Sequence, residues 1–177
     1  MERVSVAEVL GKVKEILGEI DKNVDLLNLF NMVEAELVSE VIKLTDTITT
    51  KLNDDSEILV SQFPKRLLSI IDIYHNNEKI GWGYHFDSPG TGIHVPGYSG
   101  KEVTIEYHYV PDAKDEDSES DLPMGLIDIL VYGVITEYFL VKGDFEQASW
   151  YDRKYKKILY GRDKKKLLKK WERFING

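Results

Sequence analysis

The chain has 177 residues, 42% hydrophobic and 31% charged, enough apolar matter to fill one core and too much for a disordered polymer. It has no cysteine, which excludes disulfide scaffolds, thiolate catalysis and cysteine-ligated zinc, and its patterning predicts neither a signal peptide nor a membrane span. The net charge of −8 is uneven: residues 151–177 hold 11 Lys/Arg against 3 Asp/Glu, or +8, and the remainder carries −16, a polarity that sets one end apart for a different partner.

Ser5 and Glu8 have the spacing of a capping box, and Val6, Val9, Leu10, Val13, Ile16 (or Leu17) and Ile20 then recur at helical intervals. A first helix is predicted over 5–20. A second is predicted over 24–44, with Leu26, Leu27, Phe30, Val33, Leu37 and Val41 on one face and Glu34, Glu36 and Glu40 away from it. Two helices with a short link predict an N-terminal helical hairpin.

After Thr45 the period changes. Residues 47–52 are rich in β-branched side chains and end in Asn53-Asp54-Asp55, a turn signal. Extended segments are predicted at 67–74, 79–86 and 91–95, punctuated by Asn76-Asn77, Ser88-Pro89-Gly90 and Pro96-Gly97. Val103, Ile105, Tyr107 and Tyr109 alternate with Thr104, Glu106 and His108, a period of two. Residues 46–110 therefore read as a meandering antiparallel β insertion between helices.

Residues 111–121 form an acidic stretch with no apolar side chain larger than alanine, apart from Pro111, and are expected to be a mobile loop. A third helix is predicted from Leu122-Pro123 to about Val141, and a fourth over 145–159 after the Lys142-Gly143-Asp144 turn, with Asp144 as its cap. Gly161 interrupts the pattern. A last helix is predicted from Asp163, with Leu167, Leu168, Trp171, Phe174 and Ile175 opposite Lys165, Lys166, Lys169 and Arg173.

Chemistry is hard to place on this chain. The histidines, His75, His85, His94 and His108, lack HExxH-type spacing. Gly97-Tyr98-Ser99-Gly100 is a tight turn and no nucleophile elbow, and Gly90-Thr91-Gly92 precedes a strand where a dinucleotide fingerprint would precede a helix. No catalytic residue, metal or cofactor is expected. Ten tyrosines and three tryptophans suit a protein interface. The basic C-terminal stripe could contact nucleic-acid phosphate, but no RNP, KH or helix-turn-helix signature accompanies it.

The order of elements resembles that of the head–tail adaptor (connector) proteins of tailed phages over about residues 5–160. The residues that carry the likeness are Leu26 to Glu36; Gly92-Ile93-His94-Val95-Pro96; Val103 to Pro111 with its Tyr107-His108-Tyr109 phrase; Leu122-Pro123 through Tyr138; and Gly143-Asp144-Phe145-Glu146-Gln147-Ala148 closing on Tyr151 to Tyr155. The resemblance implies a structural virion protein, made in the host cytoplasm and placed in the neck. Its copies would form a ring, typically of twelve, that binds the portal protein, extends the DNA channel and meets the next neck or tail protein. DNA would pass transiently and without specificity, and no membrane is involved. The alternatives are another neck or tail-completion component, or a small nucleic-acid-binding protein using the basic helix.

The expected fold class is α+β, mainly α: an adaptor-like domain over 1–160 (helices 5–44, β insertion 46–110, acidic loop 111–121, helices 122–160) and a basic arm over 161–177. Lys165, Lys166, Lys169, Lys170, Trp171, Arg173 and Phe174 are the candidate portal or subunit interface. Asp112, Asp115, Glu116 and Asp117 are the candidate assembly loop.

Overall fold

The computed structural model describes residues 2–81, 83–87 and 90–161. In chain order its strands and helices are β1 (Arg3–Ser5), α1 (Val6–Leu17), α2 (Leu26–Glu40), β2 (Leu44–Lys51), β3 (Glu57–Leu59), β4 (Arg66–His75), β5 (Glu78–Lys79), β6 (His85–Phe86), β7 (Gly92–His94), β8 (Glu102–Val110), β9 (Glu119–Pro123), α3 (Ile127–Val141) and α4 (Phe145–Tyr160). They form two compact units. One joins the residues up to Leu37 to those from Ala113 onward, and the other runs from Val38 to Asp112.

The first unit is built around α3. This helix is apolar on every side, and a helix without a polar face must be surrounded. Ile127, Ile129, Leu130, Val131, Val134, Ile135 and Tyr138 are all buried. By length and composition Met124–Val141, at a mean hydropathy of 1.7 over 18 residues, could cross a membrane, although 56% of it is buried inside the protein. It serves here as the core helix. Runs of apolar residues did not reveal this length, because Asp128 and Glu137 interrupt them.

The predicted N-terminal helical hairpin is not what forms. α1 buries Val6, Val9, Leu10 and Val13 and lies along α3, not along α2. The link bends away at Gly18, whose φ of 72° suits a residue without a side chain. The Tyr138 hydroxyl then meets the Asp21 amide at 3.1 Å, and Lys142 lies 3.8 Å from the Asp21 carboxylate, so the link is tied to the far end of α3. Ser5 makes no side-chain cap; it closes β1, and Glu8 pairs with Lys12 at 3.5 Å.

The expected dominance of helix is also corrected. Among the described residues 41% are helical and 29% lie in strands, a mixed α+β composition. Part of the difference comes from helices shorter than expected, α1 ending at Leu17, α2 at Glu40 and α3 starting only at Ile127, and part from strands of two to five residues, too short to display a period. The acidic loop is another departure: it becomes strand at Glu119, where β9 pairs antiparallel with β1, and the third helix starts at Ile127 instead of Leu122.

The second unit contains a four-stranded antiparallel sheet in the order β2-β8-β4-β5 and a three-stranded one in the order β3-β7-β6. The alternation in β8 decides its faces: Val103, Ile105, Tyr107 and Tyr109 are buried, and Thr104, Glu106 and His108 are half-buried on the other side. Ile48 and Ile73 flank Ile105 on this inner face, and Phe63 meets the Tyr107 ring edge-on at 4.9 Å. Burial and the nearby Asp46 carboxylate push the Tyr107 hydroxyl up to about 12.

α2 and α3 approach closely at Gly133, where an added Cβ would stand 2.5 Å from Val33 Cγ1 and 3.4 Å from the Tyr155 ring. Gly133→Ala is expected to cost about 1–3 kcal/mol through overpacking, despite the better helix propensity of alanine. Urea unfolding checks this: the midpoint should fall with the slope unchanged.

Candidate interaction surface on the helical unit

Glu34, expected on the solvent side of α2, is 1% exposed. Four residues after Phe30 and three before Leu37, it points into the unit. There it accepts a short hydrogen bond from the Ser120 hydroxyl and another from the Asp121 amide at 3.0 Å, while the Leu122 amide donates to Ser120 Oγ at 2.9 Å. One turn earlier, the Asn31 side chain exchanges two hydrogen bonds with the backbone of Lys114, at 2.7 and 3.1 Å. Asp121 also receives Arg3 at 3.5 Å and Lys114 at 3.4 Å.

This clasp changes the character of the acidic segment. Both ends of 114–121 are tied to α2 and β1, and the Val6 amide donates to the Ser118 carbonyl at 3.1 Å. What projects is a short turn, Asp115-Glu116-Asp117, with all three side chains exposed. The Ser118 amide bonds the Asp115 carbonyl at 3.0 Å and holds its shape. Asp112, expected in the same assembly loop, belongs to the other unit.

The opposite character appears at the turn from α3 to α4. Gly143 takes a φ of 73°, the Asp144 carboxylate accepts from the Gln147 amide at 3.1 Å, and α4 starts there as expected. Leu140, Val141 and Phe145 cluster in the chain at this turn and remain exposed, Phe145 at 70%. Along α4, Tyr151 stacks on Phe139 at 5.6 Å and meets Trp150 edge-on at 4.6 Å. The Lys154 ammonium sits 3.5 Å from the centre of the Trp150 ring, which is itself 47% exposed. A group of large apolar side chains left in water beside rigid aromatics is the composition of an interface core. Arg153, Lys156 and Lys157 make the later turns of α4 basic.

Lys165, Lys166, Lys169, Lys170, Trp171, Arg173 and Phe174 lie outside the described residues. Among the histidines, His85 and His94 face each other across β6 and β7 with ring centres 4.9 Å apart. No group of three or more His, Asp or Glu side chains that could hold a metal occurs among the described residues. Residue type alone places Glu34 outward on α2; its spacing from Phe30 and Leu37 is the signal in the sequence that places it inward.

Burial raises the Glu34 pKa above its ordinary value of 4.5, against the opposing pull of the Ser120 hydroxyl, the Lys114 charge and the Asp121 amide. A raised carboxyl pKa in the folded state stabilises the protein fully below the unfolded value, and that contribution is lost as pH rises through the folded one. Glu34→Gln is expected to flatten the stability–pH curve above the ordinary carboxyl value of 4.5, where that loss sets in. Glu34→Ala, which strands the Ser120 hydroxyl and the Asp121 amide, is expected to cost about 2–4 kcal/mol. Chemical denaturation at several pH values checks both. Comparison of the chain with protein-family models and with curated proteins finds no match.

Proposed function

We propose that this chain is a non-catalytic structural subunit, a head–tail connector adaptor that forms a ring beneath a phage portal and links capsid to tail. The observation that carries the reading is the exposure of Leu140, Val141, Phe145 and Trp150 at and after the α3–α4 turn, large apolar side chains left in water. Support comes also from the acidic turn 115–117, held rigidly by the Glu34 clasp on the same unit as the basic half of α4. One subunit with two unlike, complementary patches forms head-to-tail contacts, and such contacts close into rings when the rotation allows. The acidic body away from the C-terminal residues suits a conduit through which DNA slides, because like charges disfavour gripping of the phosphates.

Co-sedimentation and negative-stain imaging with the portal protein encoded beside it test the proposal. A ring added at the narrow end of the portal is expected. Phe145→Ala with Trp150→Ala should weaken association about 30-fold or more, the equivalent of about 2 kcal/mol for buried aromatic anchors. No association from well-folded protein overturns the reading, and DNA binding that falls steeply with salt in the absence of portal would favour the nucleic-acid alternative.

A further inference from the structure

The four-stranded sheet ends on β2. All eight residues of β2 pair with β8 in one unbroken register, from Leu44 opposite Tyr109 to Lys51 opposite Glu102. The far side of the sheet is different: β4 carries two register irregularities, and β5 covers its last two residues. Bulges and short covering strands keep a sheet edge from pairing with other chains, and β2 has neither. It contains no proline or glycine, and Thr47-Ile48-Thr49-Thr50 is uncharged and β-branched at every position.

The hydrogen-bond pattern fixes which groups face the open side. Along an antiparallel strand, successive residues turn both backbone groups alternately toward the partner and away from it. The Leu52 amide donates to the Lys101 carbonyl at 2.9 Å in continuation of the β2–β8 register, so Leu44, Asp46, Ile48 and Thr50 face β8. Thr45, Thr47, Thr49 and Lys51 therefore turn their amides and carbonyls outward. The Thr47 amide agrees with this, since it donates to the neighbouring Asp46 carboxylate at 2.9 Å and not to β8. Among the described residues no other strand lies along this side.

We propose that β2 pairs antiparallel with β2 of a second copy, joining the two four-stranded sheets into one. The register that overlaps the whole strand sets Ile48 on the two-fold axis, Thr47 opposite Thr49 and Thr45 opposite Lys51. The outward amides and carbonyls of these residues then bond across the axis, and the Thr47 amide trades the Asp46 carboxylate for a carbonyl. Every pair joins residues of the same face, so no side chain is turned over. Asp46 and Lys51 each meet threonine, so like charges are never opposed, and facing threonines are favourable cross-strand partners. Moving the axis to Thr47 or Thr49 shortens the overlap, and the former also sets Asp46 against Ile48. This self-complementarity selects a second copy over an unrelated strand. The unit that carries β2 is not the one that carries the exposed aromatics, so the pairing holds whether or not the chain is a connector.

Sedimentation of the full chain is the first test: the protein is expected to be half dimeric or more at about 100 µM. Thr47→Lys combined with Thr49→Lys opposes lysines on both sides of the axis and should weaken the dimer about tenfold or more. Both threonines are exposed, so the fold tolerates these changes. The absence of cysteine gives a clean background for the second test. Under mild oxidation, Ile48→Cys is expected to form an interchain disulfide about tenfold faster than Thr50→Cys. Residues facing each other in a non-hydrogen-bonded pair stand about 4.5 Å apart at Cα, whereas the two copies of position 50 would be about 13 Å apart along the strands. A chain that stays monomeric at that concentration, a dimer indifferent to the paired lysines, or equal disulfide rates would each overturn the proposal.

Discussion

Glu34 accepts hydrogen bonds from Ser120 and Asp121 across 86 and 87 positions of chain, and the helical unit depends on that closure. The unit is assembled from two stretches separated by the whole of 38–112, so its core exists only once residues after Ala113 return to α2. Closing so long a loop carries an entropic cost that local helix propensity cannot offset. A buried carboxylate with its hydrogen bonds made is suited to fixing the register of that return, because any shift would leave the charge buried and unsatisfied. The Asn31–Lys114 backbone exchange and the β1–β9 pairing act at the same junction.

Satisfaction at this junction leaves other surfaces unsatisfied. α4 buries few side chains, Ala148 and Leu159 foremost, and keeps aromatics at its start in water. The clasp meanwhile presents an acidic turn in a defined shape. A unit with exposed aromatics, a fixed acidic turn and a basic helix end has the ingredients of self-association and docking, and this composition underlies the connector proposal.

The legible elements were those long enough to show a period. α1, α4 and β8 were readable because each has one wet face and one dry face, and the period of that contrast is local. α3 was readable as a helix although apolar all round, through its Leu122-Pro123 start and its Gly143 stop, but its first residue was misplaced because β9 borrows the same residues. β1, β3 and β9 could not be read, since three to five residues carry no period and their pairing partners lie far away. The acidic stretch looked mobile by composition; nothing local shows that Asn31 and Glu34 hold it.

What the sequence by itself determined is local: helix and strand periods, the turn at Gly143, the charge split at the C-terminal end and the absence of thiol chemistry. Only the tertiary structure decided that α1 lies on α3 instead of pairing with α2, that Glu34 faces inward, and that the acidic segment is tied down at both ends. The reason is physical. Periodicity says that a face will be buried but not against what, and a charged side chain is placed inside only when donors from distant chain arrive to meet it.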